Sequence, residues 1–169
     1  VRDGGVRAGD EAGVIRVLFV CTGNSARSQM AEALLGHLGA GRFEAASGGS
    51  HPADGVSRLA VETLREHGIA WEGRFPKPVE DFEDEQWDVV ITVCDHAREH
   101  CPVFYGAPVL AHWGMPDPAA VPEEGARRAA FRDAFQVIRR RLERLVTLPL
   151  ESLDVPARAR AVEAIGRET

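Results

Sequence analysis

Three cysteines, one arginine and one aspartate stand at spacings that can do chemistry. The run Cys21-Thr22-Gly23-Asn24-Ser25-Ala26-Arg27-Ser28 places a thiol at one end of several small residues and a guanidinium six positions on. Small side chains let the backbone curl closely, and the successive N–H groups of such a curl converge into a nest for an anion. A helix beginning at the end of the run would add its positive N-terminus. Arg27, in its first turn, could fold over the loop and grip two oxygens at once. Cys21 would lie at the floor of the concavity, where a helix N-terminus and a guanidinium favour the nucleophilic thiolate. The plain alternative is a buried strand-end cysteine beside a glycine turn. An arginine six positions on, between an apolar run and a helical pattern, favours the anion site.

Cys94 and Cys101 lie seven positions apart across Asp95–His100. On a helix that spacing is two turns, roughly 10 Å, more than a disulfide spans. Pairing them would therefore require the segment to unwind. Two cysteines with His96 and His100 also have the composition of a zinc site, although the spacing fits no common zinc pattern. Inert core cysteines are the other alternative. The redox reading is preferred, and no metal is assigned. Further on, Asp117 stands between Pro116 and Pro118. Pro118 favours an extended Asp117 and Pro116 stiffens the approach. A rigidly aimed carboxyl above an anion pocket can protonate a leaving oxygen, whereas an ordinary turn aspartate would only be solvated.

The elements that must position these groups can be read from hydrophobic period. Val14–Val20 is a short, β-branched, mostly apolar run suited to a strand covered on both faces. Met30, Leu34 and Leu38 follow at helical spacing, and Gly39 and Gly41 stop that helix. Phe43–Ser47 reads as a second strand. A second helix carries Val56, Leu59, Thr63 and Leu64 and ends at Gly68. Trp71–Asp81 reads as a loop, Asp88–Val93 as a third strand and Pro108–Ala111 as a fourth. Phe131, Phe135, Ile138, Leu142 and Leu145 mark a long amphipathic helix closed by Pro149, and Ala157–Ile165 reads as a last, weakly packed helix. Strands alternating with helices predict a single α/β domain, three-layer αβα around a four-stranded parallel sheet. Its ligand site is expected at the carboxyl ends of the strands.

The chain divides accordingly into a disordered extension over residues 1–13, a catalytic domain over 14–149 and a tail over 150–169. With 169 residues and 44% hydrophobic content, a sizeable core fits one domain. A net charge of -6 argues against a nucleic-acid partner, yet a small anion needs just one arginine and a ring of amides. No apolar run reaches the ~18 residues of a membrane span. The polar, Gly-rich start has no secretory apolar core. A cytoplasmic location is expected, where cysteines stay reduced unless used catalytically, and the protein is expected to act as a monomer.

The fragment VLFVCTGNSARSQMAEALL resembles the low-molecular-weight protein tyrosine phosphatase fold, whose loop runs Cys, five residues, Arg, then Ser or Thr. The thioredoxin-coupled arsenate reductases that share this fold are the nearer match, and the likeness extends from Val14 to about Leu145. The resemblance implies arsenate as substrate, with phosphate or sulfate as analogues, held by Thr22, Gly23, Asn24, Ser25, Ala26, Arg27 and Ser28. It implies Cys21 as nucleophile, Cys94 and Cys101 (VITVCDHAREHCPVF) as the resolving pair, and Asp117 as general acid. Thioredoxin would be the external reductant, with no bound cofactor. Asn24, Glu32 and Ser47 fall where some of these reductases hold potassium. Lys77, however, replaces an Asp there, so weak potassium dependence or none is expected, with Lys77 pairing Glu32. The alternative within the fold is a phosphatase for phosphotyrosine or small aryl phosphates, using Cys21, Arg27 and Asp117. A different class is a non-catalytic oxyanion sensor.

Overall fold

The apolar run near the start becomes strand β1, Ile15–Cys21, in which Arg16 alone is not fully buried. Such a run lacks an alternating pattern because both faces of the strand are covered. The computed structural model describes residues 13–95, 97, 107 and 109–168. Strands β2 (Phe43–Gly49), β3 (Val89–Thr92) and β4 (Val109–His112) join β1 in one parallel sheet of order β2-β1-β3-β4. Parallel neighbours need long crossovers. Helix α1 (Arg27–Leu38) links β1 to β2, and α2 (Arg58–Glu66) lies between β2 and β3. The expected α/β architecture with a four-stranded parallel sheet is therefore present. Residues 1–12 of the expected extension lie outside the described residues, as does Pro108 at the expected start of the fourth strand.

The second strand runs two residues beyond the expected Ser47, through Gly48 and Gly49. Both are glycine because neighbours press against them. A Cβ on Gly49 would stand 2.7 Å from the carbonyl oxygen of Thr22, and one on Gly48 would stand 3.0 Å from the backbone of Val79. Val79 belongs to a short 3-10 turn, Val79–Phe82, at the end of what the sequence suggests is plain loop.

Helix α3 spans Glu124–Thr147 and buries Phe131, Phe135, Ile138, Leu142 and Leu145, the residues that carry its periodicity. The Glu123 carboxylate caps its start by accepting from the N–H groups of Gly125 and Ala126. At the other end Arg42 donates to the carbonyls of Val146 and Leu148 at 2.6 and 2.5 Å and pairs with Glu151. The last helix, α4, begins at Val155 rather than Ala157 because Asp154 caps it and Pro156 suits a first turn. The expectation of weak packing is corrected. Val162 and Ile165 are buried, Trp113 Nε1 donates to Val162 O at 2.9 Å, and Glu163 accepts from the His112 N–H at 2.9 Å. Few apolar residues announce this helix in the sequence, because polar groups seat it against the edge strand.

Register gathers the strand ends. Cys21 pairs with Gly49, Val20 with Thr92, and Thr92 with His112. The segments leaving β1, β2, β3 and β4 therefore issue side by side from one edge of the sheet.

Candidate active site

Residues 21–26 curl between β1 and α1, and their carbonyls are engaged along one side. Ser50 N donates to Cys21 O, His51 N to Thr22 O, Ala53 N to Gly23 O, and Ser57 N to Ser25 O, at 2.8–3.1 Å. Gln29 Nε2 takes Asn24 O at 3.1 Å. In a planar trans peptide the N–H points opposite the C=O, and no peptide among the described residues is cis. The amides of Thr22, Gly23, Asn24, Ser25 and Ala26 therefore point away from those partners, as an anion nest requires. Asn24 makes the tight turn with φ 49°, a left-handed conformation that asparagine tolerates.

The Cys21 sulfur is almost fully buried on the inner side of this curl. Asn24 N donates to Sγ at 3.2 Å, and Ser28 Oγ lies 2.8 Å from it. Ser28 also accepts from Asn24 Nδ2 at 2.8 Å, which fixes the hydroxyl. Arg27 opens α1 and is 9% exposed. Its Nη1 donates to Met115 O at 3.0 Å, and Nη2 stands 3.8 Å from a carboxylate oxygen of Asp117. Its Nε is buried and has no hydrogen-bond partner among the described residues. A buried donor without an acceptor is costly, and an oxyanion above the loop would relieve it. Asp117 is extended, φ −81° and ψ 112°, with one oxygen accepting from Ala119 N at 2.9 Å and a side chain 45% exposed.

A second sulfur reaches the same loop. Cys94, just past the end of β3, is buried with Sγ 3.2 Å from Thr22 Oγ1, and Ala97 N donates to it at 3.4 Å. Each sulfur thus accepts from an amide three residues on and has a hydroxyl within hydrogen-bonding distance. Cys101, His96 and His100 lie outside the described residues, and with them the zinc alternative.

Residues 16–156 match the low molecular weight phosphotyrosine protein phosphatase family. The chain is 36% identical over 106 residues to arsenate reductase 2 of Staphylococcus epidermidis, covering 63% of this chain and 80% of that one. It is 32% identical over 131 residues to a glutaredoxin arsenate reductase of Synechocystis, covering 78% and 95%. This chain belongs to the arsenate reductases of the low-molecular-weight phosphatase family. A solved arsenate reductase in its phosphate-binding state superposes with a TM-score of 0.68 at 32% identity, covering 79% of this chain and 97% of that one. The thioredoxin-dependent arsenate reductase of Corynebacterium glutamicum gives 0.63 at 30% identity, covering 86% and 66%.

Beside the loop, the oxygens of Asn24, Ser47 and Glu32 are met by donors. Asn24 Oδ1 accepts from Lys77 N at 2.8 Å and Gln29 Nε2 at 3.0 Å. Ser47 accepts from Asn24 Nδ2 at 2.9 Å and donates to Glu32 at 2.6 Å, while Lys77 Nζ lies 3.9 Å from that same Glu32 oxygen. The three oxygens thus already face donors, an arrangement that does not fit a potassium ion.

Sequence reasoning missed two groups here. Gln29 is fully buried, accepts from Trp71 Nε1 at 2.8 Å and donates to Asn24 and Phe75. His112 lies 2.7 Å from Thr92 Oγ1 and 2.8 Å from Asp95, the residue after Cys94. A hint of each exists, since a glutamine two positions after Arg27 belongs to the loop fragment and His112 closes a strand. Neither hint names its partner.

Proposed function

We propose that this chain reduces arsenate to arsenite by a three-cysteine relay beginning at Cys21, reset by a dithiol protein of the thioredoxin class in a reducing, cytoplasmic environment. Arsenate sits on the amides of residues 22–26 and on Arg27 Nε and one Nη. The Cys21 thiolate attacks arsenic, and Asp117 gives its proton to the departing oxygen. The Cys94 thiolate then attacks Cys21 Sγ. A sulfur–sulfur bond forms, the sulfur–arsenic bond breaks, and its electron pair stays on arsenic, which leaves as arsenite. Cys101 attacks Cys94, releases Cys21 and forms the disulfide that the external dithiol reduces.

The observation that carries this reading is the Cys94 sulfur at 3.2 Å from the Thr22 hydroxyl. Arsenate and phosphate share shape and charge, so Cys21, Arg27 and Asp117 alone would equally serve a phosphatase that hydrolyses a phospho-cysteine with water. A second buried thiol against the anion loop has no use in that chemistry.

The test measures arsenite release with thioredoxin, thioredoxin reductase and NADPH, alongside hydrolysis of an aryl phosphate. Cys94→Ser is expected to lose arsenite turnover and keep whatever phosphatase activity the wild type has, while Cys21→Ser loses both. Sustained arsenite turnover by Cys94→Ser would refute the relay. A wild-type enzyme that hydrolyses the aryl phosphate and makes no arsenite would establish the phosphatase.

A further inference from the structure

The loop that carries Asp117 has open space on one side. Met115, Pro116, Asp117 and Pro118 border a cleft of about 1030 Å³ that continues along α3 past Ala134 and Arg141. Packing on that side does not fix the loop; on the inner side Met115 and Pro118 pack inward, and arginines hold its backbone. Three consecutive carbonyls accept from two guanidinium groups. Arg141 Nη1, from the body of α3, donates to Trp113 O at 3.1 Å and Gly114 O at 3.3 Å, and Arg27 Nη1 takes Met115 O at 3.0 Å.

Arg141 has no carboxylate partner among the described residues, and its buried Nε makes no hydrogen bond. Burial lowers its pKa from the ordinary guanidinium value. A half-buried cation held by carbonyls alone is a poor device for stability, since surrounding charges do not repay its desolvation. Its remaining bond joins a third element, with Nη2 donating to Gly166 O at 3.3 Å, just beyond α4. That glycine fits closely, because a Cβ there would stand 2.5 Å from His112 O and from the Trp113 ring. Nearly all of α4 follows residue 156, where the family match ends. The start of the acid loop is thus clamped between α3 and a helix that the matched region scarcely includes.

We propose that Arg141, braced by Gly166 at the end of α4, is a positioning residue that sets the acid loop so that Asp117 meets the oxygen leaving arsenic. Arg141 touches neither substrate nor reacting atoms, and it acts through the carbonyls of Trp113 and Gly114. The inference rests on Asp117 being the general acid. Misplacing a catalytic group by about 1 Å can lower a rate on the order of a hundredfold.

The test is a double-mutant cycle on the full chain, read as single-turnover arsenite formation over a range of arsenate concentrations. Thermal unfolding confirms that each variant is folded. Arg141→Met is expected to slow the maximal rate by about tenfold to a hundredfold and leave the half-saturating arsenate concentration unchanged. Arg141→Lys should recover part of the loss, and it replaces the methionine variant in the cycle should that one not fold. In an Asp117→Asn background the Arg141 substitution should cause no further loss. Losses that multiply in the double variant would overturn the inference, as would a weaker hold on arsenate with an unchanged maximal rate. An Asp117→Asn enzyme as fast as wild type would instead overturn the acid assignment and remove the basis of the inference.

Discussion

At the scale of single residues, the site is legible where its parts are neighbours in sequence. Cys21 through Ser28 name a strand end, a turn of small residues and a helix start, so the anion nest could be read directly. Lys77 was legible only through the contrast with an aspartate elsewhere in the family, and the structure puts its ammonium 3.9 Å from Glu32. An ammonium there supplies the charge that a bound cation would bring, and Asn24 Oδ1 already faces two donors. Exchanging sodium for potassium at constant ionic strength should therefore leave the rate of arsenate reduction unchanged. A clear acceleration by potassium would show that the Lys77 arrangement gives way to a cation. Gln29 and His112 escaped notice because their partners lie far along the chain. Gln29 meets Trp71 across 42 positions, and His112 meets Asp95 across 17.

At the scale of elements, apolar periodicity located the strands and α1–α3 to within a few residues, because their burial is repetitive. It undervalued α4, whose attachment uses one glutamate, two backbone carbonyls and a glycine. Arg42 is a similar case. From the start of β2 it binds two carbonyls at the end of α3 and the Glu151 carboxylate in the next turn. The Arg42 hydrogen bond holds the Glu151 carboxyl below its ordinary range, with desolvation opposing it. A carboxyl more acidic in the folded than in the unfolded chain stabilises the fold above the unfolded value, and that contribution is lost as pH falls through the folded one. Glu151 is 43% exposed, so the pair contributes modestly, about 0.5–1 kcal/mol. Glu151→Gln should lower the melting temperature slightly at pH 7, and the gap to wild type should close as the pH falls below the ordinary carboxylate range. A gap that stays constant with pH would assign the effect to something other than this charge.

At the scale of the whole molecule, a parallel sheet with register-matched ends delivers four loops to one edge. One brings Cys21 and its curl of amides, one the segment that closes over the loop carbonyls, one the Cys94 sulfur and one the Asp117 carboxyl. Among the described residues no helix is long and apolar enough to cross a membrane. The proposed relay passes a bond from sulfur to sulfur, from Cys21 to Cys94 to Cys101. The most direct test traps the first exchange. Cys101→Ser, reduced and mixed with excess arsenate, should release one arsenite per chain and stop, and peptide mapping should find Cys21 bonded to Cys94. A Cys101→Ser enzyme that cycles normally with thioredoxin, or that stops with no bond between Cys21 and Cys94, would contradict it.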